Sequence, residues 1–184
     1  MHRSIKVSPN LYDVKSGKHC SSYEPENMHT QSKSFNGNTL IFMKESEVTK
    51  TNSFLQFSKA YDPGCILDLR IAPRLDVFYG SRKLSFSSFQ ELNIEYFDFF
   101  GRVGIDSKDK IPEIEFHFIE ACIYLLSSDR YKLRPIVLFF DSDEILCECS
   151  KHLNNSFFLN LFPTKVLNIA EFRSGLLKVR TLAN

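Results

Sequence analysis

The sequence predicts an α/β protein, a three-layer α-β-α sandwich around a five-stranded, mainly parallel sheet. Short apolar segments alternate along the chain with segments whose apolar residues recur at helical spacing. The apolar segment 136–140 is typical of an interior parallel strand, which helices cover on both faces. Turn residues such as Pro63 and Gly64 separate these segments. Right-handed crossovers between parallel strands would then place helices on both faces of the sheet.

The first half of the predicted domain contains three strands, at residues 39–43, 65–71 and 94–98. Helices are predicted between them because apolar residues there recur every three or four positions. The first helix begins at a capping residue, Thr51 or Asn52, and ends before Pro63. The second helix is shorter and begins at Ser85 or Ser87.

The second half of the predicted domain contains two helices and two strands. A helix begins near Pro112, since proline suits the first turn of a helix. The strand 136–140 follows, and Asp141 or Ser142 caps a helix over residues 143–158. The last predicted strand covers residues 165–170.

The chain of 184 residues divides into an arm and one domain. Residues 1–36 are polar and without sustained periodicity, which predicts a flexible or irregular amino-terminal arm. Residues 37–184 hold every predicted strand and helix and are predicted to form a single α/β domain. Its last segment, residues 171–184, is basic and weakly patterned.

Composition narrows the class of protein and its location. With 23 basic and 22 acidic residues, the net charge of +1 gives no general argument for binding nucleic acid or an anionic membrane. No apolar segment approaches the roughly 18–20 residues that span a membrane, and residues 1–18 lack the apolar part of a signal peptide. We therefore expect a cytoplasmic protein with no membrane partner.

Cysteine and phenylalanine counts add two expectations. The chain has five cysteines: Cys20, Cys65, Cys122, Cys147 and Cys149. Because their number is odd and they are scattered along the chain, they favour free thiols in a reducing compartment. Their spacing, and that of the five histidines, predicts no metal site. Eighteen phenylalanines with no tryptophan predict a ring-packed core, and a homodimer is compatible with so many rings.

Charged residues at the end of the second strand predict an anion site. Asp68 and Arg70 share one face of that strand near its carboxyl end, where open α/β sheets build ligand crevices. Arg74 follows shortly after, and a guanidinium binds phosphate, sulfate or carboxylate through two parallel hydrogen bonds. The alternative is an internal ion pair between Asp68 and Arg70 that organises the loop.

Three further residues are candidates for the same crevice. Arg102 lies in the turn after the third strand, and Asp141 and Ser142 open a helix whose free N–H groups can bind an anion. A simple helix cap is the favoured alternative for Asp141. The expected ligand is a phosphate-bearing small molecule or a nucleic-acid end, with no cofactor; glycine-rich phosphate-loop spacing is missing from the sequence.

Two other functions remain open from the sequence. Cys147 and Cys149 lie early in a predicted helix, where a lowered pKa would make a thiolate nucleophile for a thiol-dependent enzyme, although buried, inert cysteines are commoner. The other function is a catalytically inactive domain that binds a protein partner through exposed aromatic residues. Its candidate rings are Phe97, Phe99, Phe100, Phe157 and Phe158.

The layout over residues 38–172 resembles the domain-of-unknown-function family 488. Its members carry a strand ending in D-V-R-x-x-P, which residues 68–73 resemble; residues 93–96 and Gly101 are similar to the family's second block. Residues 136–142 resemble its L-L-C-x-E strand, and residues 149–151 its C-H-R segment. The resemblance implies a rhodanese-sized α/β fold and an anion-lined crevice, without an established reaction.

This chain departs from the family pattern at two positions of the third block. Phe140 stands where the family strand has cysteine, and Ser142 stands where it has an acidic residue. Cys149 falls about one residue from the expected spacing, and Cys147 is an equally good counterpart. Chemistry that depends on the family's cysteine pair is therefore not expected in this chain.

Overall fold

A computed structural model describes residues 38–49, 53–104, 106, 114–153 and 167–182. The strands are β1 (Asn38–Lys44), β2 (Cys65–Asp68), β3 (Glu95–Asp98), β4 (Ile136–Phe140), β5 (Leu167–Arg173) and β6 (Leu176–Leu182). The helices are α1 (Ser53–Tyr61), α2 (Asp76–Tyr79), α3 (Arg82–Glu91), α4 (Phe99–Val103), α5 (Ile114–Ser127) and α6 (Asp143–Leu153). Short 3-10 turns cover Glu45–Glu47 and Asp129–Tyr131. The predicted arm, residues 1–36, lies outside the described residues.

The described strands form one sheet in the order β3-β2-β4-β1-β5-β6. All neighbouring strands are parallel except β5 and β6, which are antiparallel. The predicted α/β fold with a mainly parallel sheet is confirmed, but the sheet has a sixth strand within the segment interpreted as weakly patterned. Ser174 and Gly175, both with positive φ (52° and 78°), form the two-residue turn that leads into β6.

Helices cover both faces of the sheet, which confirms the three layers. On one face, α1, α2 and α3 bury Phe54, Phe78 and Phe89 against alternate residues of the central strands, including Val137 and Phe139. On the opposite face, α4, α5 and α6 bury a second cluster, again against alternate strand residues. That cluster includes Phe42, Phe99, Phe118, Cys122, Leu138, Ile145 and Cys149. Every residue of β4 is buried, as expected of a strand covered on both sides.

Aromatic rings fill much of the first face. The ring centroid of Phe78 lies 4.7 Å from those of Phe54 and Phe139 and 5.3 Å from that of Phe89. Several of these contacts are edge-to-face, a geometry worth about 0.5–1.5 kcal/mol per pair beyond the burial of apolar area. The expectation of a ring-packed core is confirmed for this layer.

Several predicted element boundaries were wrong. Helix α3 begins after Ser81, whose side chain accepts a hydrogen bond from the Leu84 N–H (3.2 Å), and not at Ser85 or Ser87. Ser85 is instead buried, and its hydroxyl donates to the Leu75 carbonyl. The short helices α2 and α4 were not predicted. Strand β2 ends at Asp68, earlier than the predicted end at residue 71.

Other predicted boundaries fall on residues that the structure does not describe: Thr51, Asn52, Pro112 and the segment 154–166. Helix α6 is described as far as Leu153. The longest described helix, α5, has 14 residues, and none of the described helices has the length and apolar character needed to cross a membrane.

The chain leaves neighbouring strands in opposite directions at their carboxyl ends. The helices that follow β2 lie on one face of the sheet, whereas α4, which follows β3, lies on the other. Such a reversal opens a crevice between the two strand ends, and ligands of open α/β sheets characteristically bind there.

Candidate functional site

Arg70, immediately beyond β2, is buried among acidic and aromatic partners. Its Nε and Nη2 donate to the two carboxylate oxygens of Asp68 (2.9 and 2.6 Å), and its Nη1 donates to Glu45 (3.1 Å). The guanidinium carbon lies 4.7 Å from the ring centroid of Phe139 and 5.5 Å from that of Phe78. The structure therefore contains the internal ion pair between Asp68 and Arg70, which was the alternative to a ligand contact. Glu45 adds a second carboxylate to this pair.

Asp68 is fully buried and accepts several hydrogen bonds. Besides the Arg70 side chain, the Arg70 backbone N–H (3.1 Å) and the Tyr96 hydroxyl (2.8 Å) donate to it. Burial raises the pKa of the Asp68 carboxyl, while the hydrogen bonds from Arg70 and Tyr96 act in the opposite direction. Burial alone would lower the pKa of Arg70, but the charges and hydrogen bonds of Asp68 and then Glu45 raise it overall.

This ion network fixes the loop that follows β2. The Arg70 Nη2 donates to the backbone carbonyl of Arg74 (3.2 Å), and the Leu69 N–H donates to the Phe139 carbonyl (2.8 Å). The loop is thus tied to the neighbouring strand at Leu69 and to the buried guanidinium at Arg74. The position of the Arg74 backbone at the sheet edge depends on these contacts.

A cavity of about 770 Å³ opens beside this loop, at the carboxyl ends of β2 and β3. We call it the arginine cavity because three arginine side chains, from three different elements, contribute to its wall. Its lining residues are Ala72, Pro73, Arg74, Leu75, Arg82, Phe86, Tyr96, Asp98, Gly101 and Arg102. The loop after β2, helix α3, strand β3 and helix α4 therefore meet at one crevice.

The arginines of this cavity differ in how much of their charge is compensated. Arg74 is exposed and pairs with Asp76, Nη2 to Oδ2, at 2.6 Å. Arg82 lies over the Phe86 ring (5.7 Å) and Arg102 over another ring at 4.7 Å. Within the part of the chain that the structure describes, neither Arg82 nor Arg102 forms an ion pair with a carboxylate.

One acidic side chain, Asp98, also lines the cavity, and its role is structural. Its Oδ1 accepts a hydrogen bond from the Gly101 N–H (2.9 Å), which caps helix α4. A Cβ atom added at Gly101 would lie 2.5 Å from the Asp98 Oδ2, so this close approach requires glycine. The cap holds the turn that carries Arg102, and the cavity wall has more positive than negative charge.

The structure brings together only some of the predicted anion ligands. Arg74 and Arg102 line the arginine cavity, whereas Asp68 and Arg70 lie buried next to it. Asp141 and Ser142 do not line it. Ser142 caps α6 by accepting a hydrogen bond from the Ile145 N–H (3.4 Å), and Asp141 is exposed.

The two helix cysteines have opposite environments. Cys147 is exposed, whereas Cys149 is 1% exposed within the core cluster under α5 and α6. Burial raises the pKa of the Cys149 thiol, and it also raises those of Cys65 and Cys122. Among the described cysteines, only Cys147 is therefore a candidate for a reactive thiolate, because desolvation holds the other three thiols in the neutral form.

Arg82, the arginine of the cavity that sequence reasoning missed, had a usable signal. Gly80 ends α2 with a φ of 80°, and Ser81 caps α3. A glycine followed by serine is a common junction between two helices, and it would have placed Arg82 in the first turn of α3. The predicted start of this helix at Ser85 or Ser87 leaves Arg82 outside the predicted site.

Comparisons with protein-family models, with curated proteins and with solved structures each find no match to this chain. The resemblance to the domain-of-unknown-function family 488 therefore stays a prediction.

Proposed function

We propose that this chain is a ligand-binding α/β domain and that the arginine cavity is its anion site. The observation that carries the proposal is the presence of Arg74, Arg82 and Arg102 around one cavity at the carboxyl ends of two parallel strands. Guanidinium groups hold phosphate through paired hydrogen bonds, and this place in an α/β sheet is where ligands usually bind. The expected ligand remains a phosphate-bearing small molecule or a nucleic-acid end.

The residues of the site would have separate roles. Arg82 and Arg102 are the main anion contacts, since no described carboxylate neutralises them. Arg74 contributes less because Asp76 already shares its charge. Phe86, 46% exposed, adds an apolar surface beside Arg82. Arg70 acts as a positioning residue, because it holds the loop that carries Arg74.

A thermal-shift panel of phosphate, pyrophosphate, sulfate and nucleotides tests the proposal. An anion at about a hundred times its Kd should stabilise the wild type by roughly 2.7 kcal/mol. We expect Arg82→Gln and Arg102→Gln each to cut this stabilisation to about 1.4 kcal/mol or less, because an anion bound tenfold more weakly stabilises by that amount at the same concentration. Lys59→Gln, which removes an exposed charge from α1 outside the cavity, should keep the wild-type response. A panel without any shift, or the full wild-type shift in both arginine variants, would reject the anion site.

The interaction-domain alternative is supported by a different surface from the one predicted. Phe99 and Phe100 are buried, Phe97 is partly buried beneath Arg102, and residues 157–158 lie outside the described residues. Phe116 and Tyr124 on α5 are instead exposed, at 72% and 68%. Exposed rings on one helix favour contact with a protein partner or a second copy of the chain.

A further inference from the structure

A second cavity, of about 290 Å³, lies on the opposite side of β3 from the arginine cavity. Successive side chains of a strand point to opposite faces, so Tyr96 and Asp98 line the arginine cavity while Phe97 lines this one. The rest of its wall comes from β2, α4 and α5. We call it the apolar cavity because most of its lining is aromatic or aliphatic, including Phe97, Phe99 and Leu125.

Arg102 is the cation of the apolar cavity. Its guanidinium carbon lies 4.7 Å from the ring centroid of Phe97, and its side chain borders both cavities. No described carboxylate pairs with it. Two other ionisable side chains line this cavity, Glu120 and His117; both are exposed, and the Glu120 Oε2 lies 4.0 Å from the His117 Nδ1.

The combination of an apolar wall with one guanidinium that pairs with none of the described carboxylates favours a particular kind of molecule. A neutral hydrocarbon would form no ion pair with Arg102, and a free phosphate would bury no apolar surface against the apolar wall. The volume is near the lower end of the about 300–1,000 Å³ that is usual for small-molecule sites, which favours a compact ligand over a peptide segment.

We infer that the apolar cavity binds a small apolar monocarboxylic acid, such as a medium-chain fatty acid. Its hydrocarbon part would pack against Phe97, Phe99 and Leu125, and its carboxylate would pair with Arg102. This site does not depend on the anion site proposed above, although Arg102 borders both cavities.

Calorimetric titration with octanoate, octan-1-ol and inorganic phosphate tests the inference. Octanoate should bind the wild type saturably and at least tenfold more tightly than octan-1-ol. Ala121→Leu, which adds volume to the wall formed by α5, should weaken octanoate at least tenfold and leave the response to phosphate unchanged. Arg102→Gln should weaken octanoate to the level of octan-1-ol.

Arg82→Gln is the matched control, because Arg82 lines the arginine cavity and not the apolar cavity. It should leave octanoate affinity unchanged whatever it does to phosphate, so the two sites succeed or fail separately. Val103→Phe fills the same cavity from α4 and replaces Ala121→Leu if that variant does not fold. No saturable octanoate binding, equal affinity for octan-1-ol, or octanoate affinity unaffected by the filling variant would overturn the inference.

Discussion

At Arg70, two carboxylates and two aromatic rings compensate the burial of a guanidinium. Asp68 and Glu45 accept its hydrogen bonds, and the rings of Phe78 and Phe139 pack against the guanidinium. Sequence spacing revealed the Asp68–Arg70 pair but could not reveal Glu45, which lies in a separate element 25 positions earlier in the chain. The spacing of Asp68 and Arg70 therefore predicted a ligand site and an internal ion pair equally well.

Removal of the Arg70 side chain should destabilise the fold. Arg70→Ala would leave Asp68 buried without its partner, a change that typically costs about 3–5 kcal/mol. The exposed Arg74→Ala variant loses only a surface pair with Asp76 and should cost much less, because solvent screens such a pair. Urea unfolding measures both values, and equal losses would show that the buried network is not structural.

The buried thiol of Cys149 should make stability fall in alkaline solution. Its pKa is raised by burial above the ordinary value of about 9, so above that pH the unfolded chain loses a proton that the folded chain retains. The contribution of this thiol to the free energy of unfolding is thus fully present below pH 9 and declines as the pH rises further. Between pH 8 and 10, one such thiol should lower the free energy of unfolding by roughly 1 kcal/mol.

Urea unfolding of two variants isolates this contribution. Cys149→Ala removes the buried thiol. Its free energy of unfolding should therefore fall by roughly 1 kcal/mol less than that of the wild type between pH 8 and 10. Cys147→Ser changes an exposed side chain on the same helix and should retain the pH dependence of the wild type. A Cys149→Ala curve parallel to that of the wild type would mean that the thiol ionises as it does in the unfolded chain.

Among the elements, those with a strong local pattern were predicted best. Strand β4 was predicted at its observed bounds, because a short unbroken apolar segment is typical of a parallel strand that is buried on both faces. Helices α2 and α4, of four and five residues, are too short to show helical periodicity. Strand β6 was missed because most of its residues are exposed and basic residues interrupt its apolar pattern, although Ser174-Gly175 is a recognisable turn.

The β5–β6 hairpin should depend on the backbone freedom of Gly175. Its φ of 78° is unfavourable for other residues, while no atom lies within 4 Å of where a Cβ would stand. Gly175→Ala should therefore cost about 1 kcal/mol through backbone strain alone, and Gly175→Asn, which tolerates this conformation better, should cost less. Urea unfolding midpoints measure both; a Gly175→Ala variant as stable as the wild type would contradict the hairpin turn.

For the whole molecule, strand order determines which charged residues meet. Because β2 lies between β3 and β4, the end of β2 can share a crevice with either neighbour. The arginine cavity lies on the β3 side and includes Arg74 and Arg102, whereas Asp141 and Ser142 follow β4. Strand order arises from pairing between residues far apart in the chain. The sequence therefore predicted that the site lies at the carboxyl ends of the strands, but not whether it lies between β2 and β3 or between β2 and β4.

The most direct test of the account is a calorimetric titration of the folded protein with pyrophosphate. We expect saturable binding that Arg82→Gln and Arg102→Gln each weaken at least tenfold, because one charge-assisted contact is worth roughly 1.5–3 kcal/mol. Arg74→Gln should weaken it less, and Lys59→Gln not at all. Absence of saturable binding, or equal affinity in the wild type and the Arg82→Gln and Arg102→Gln variants, would contradict an anion site at the arginine cavity.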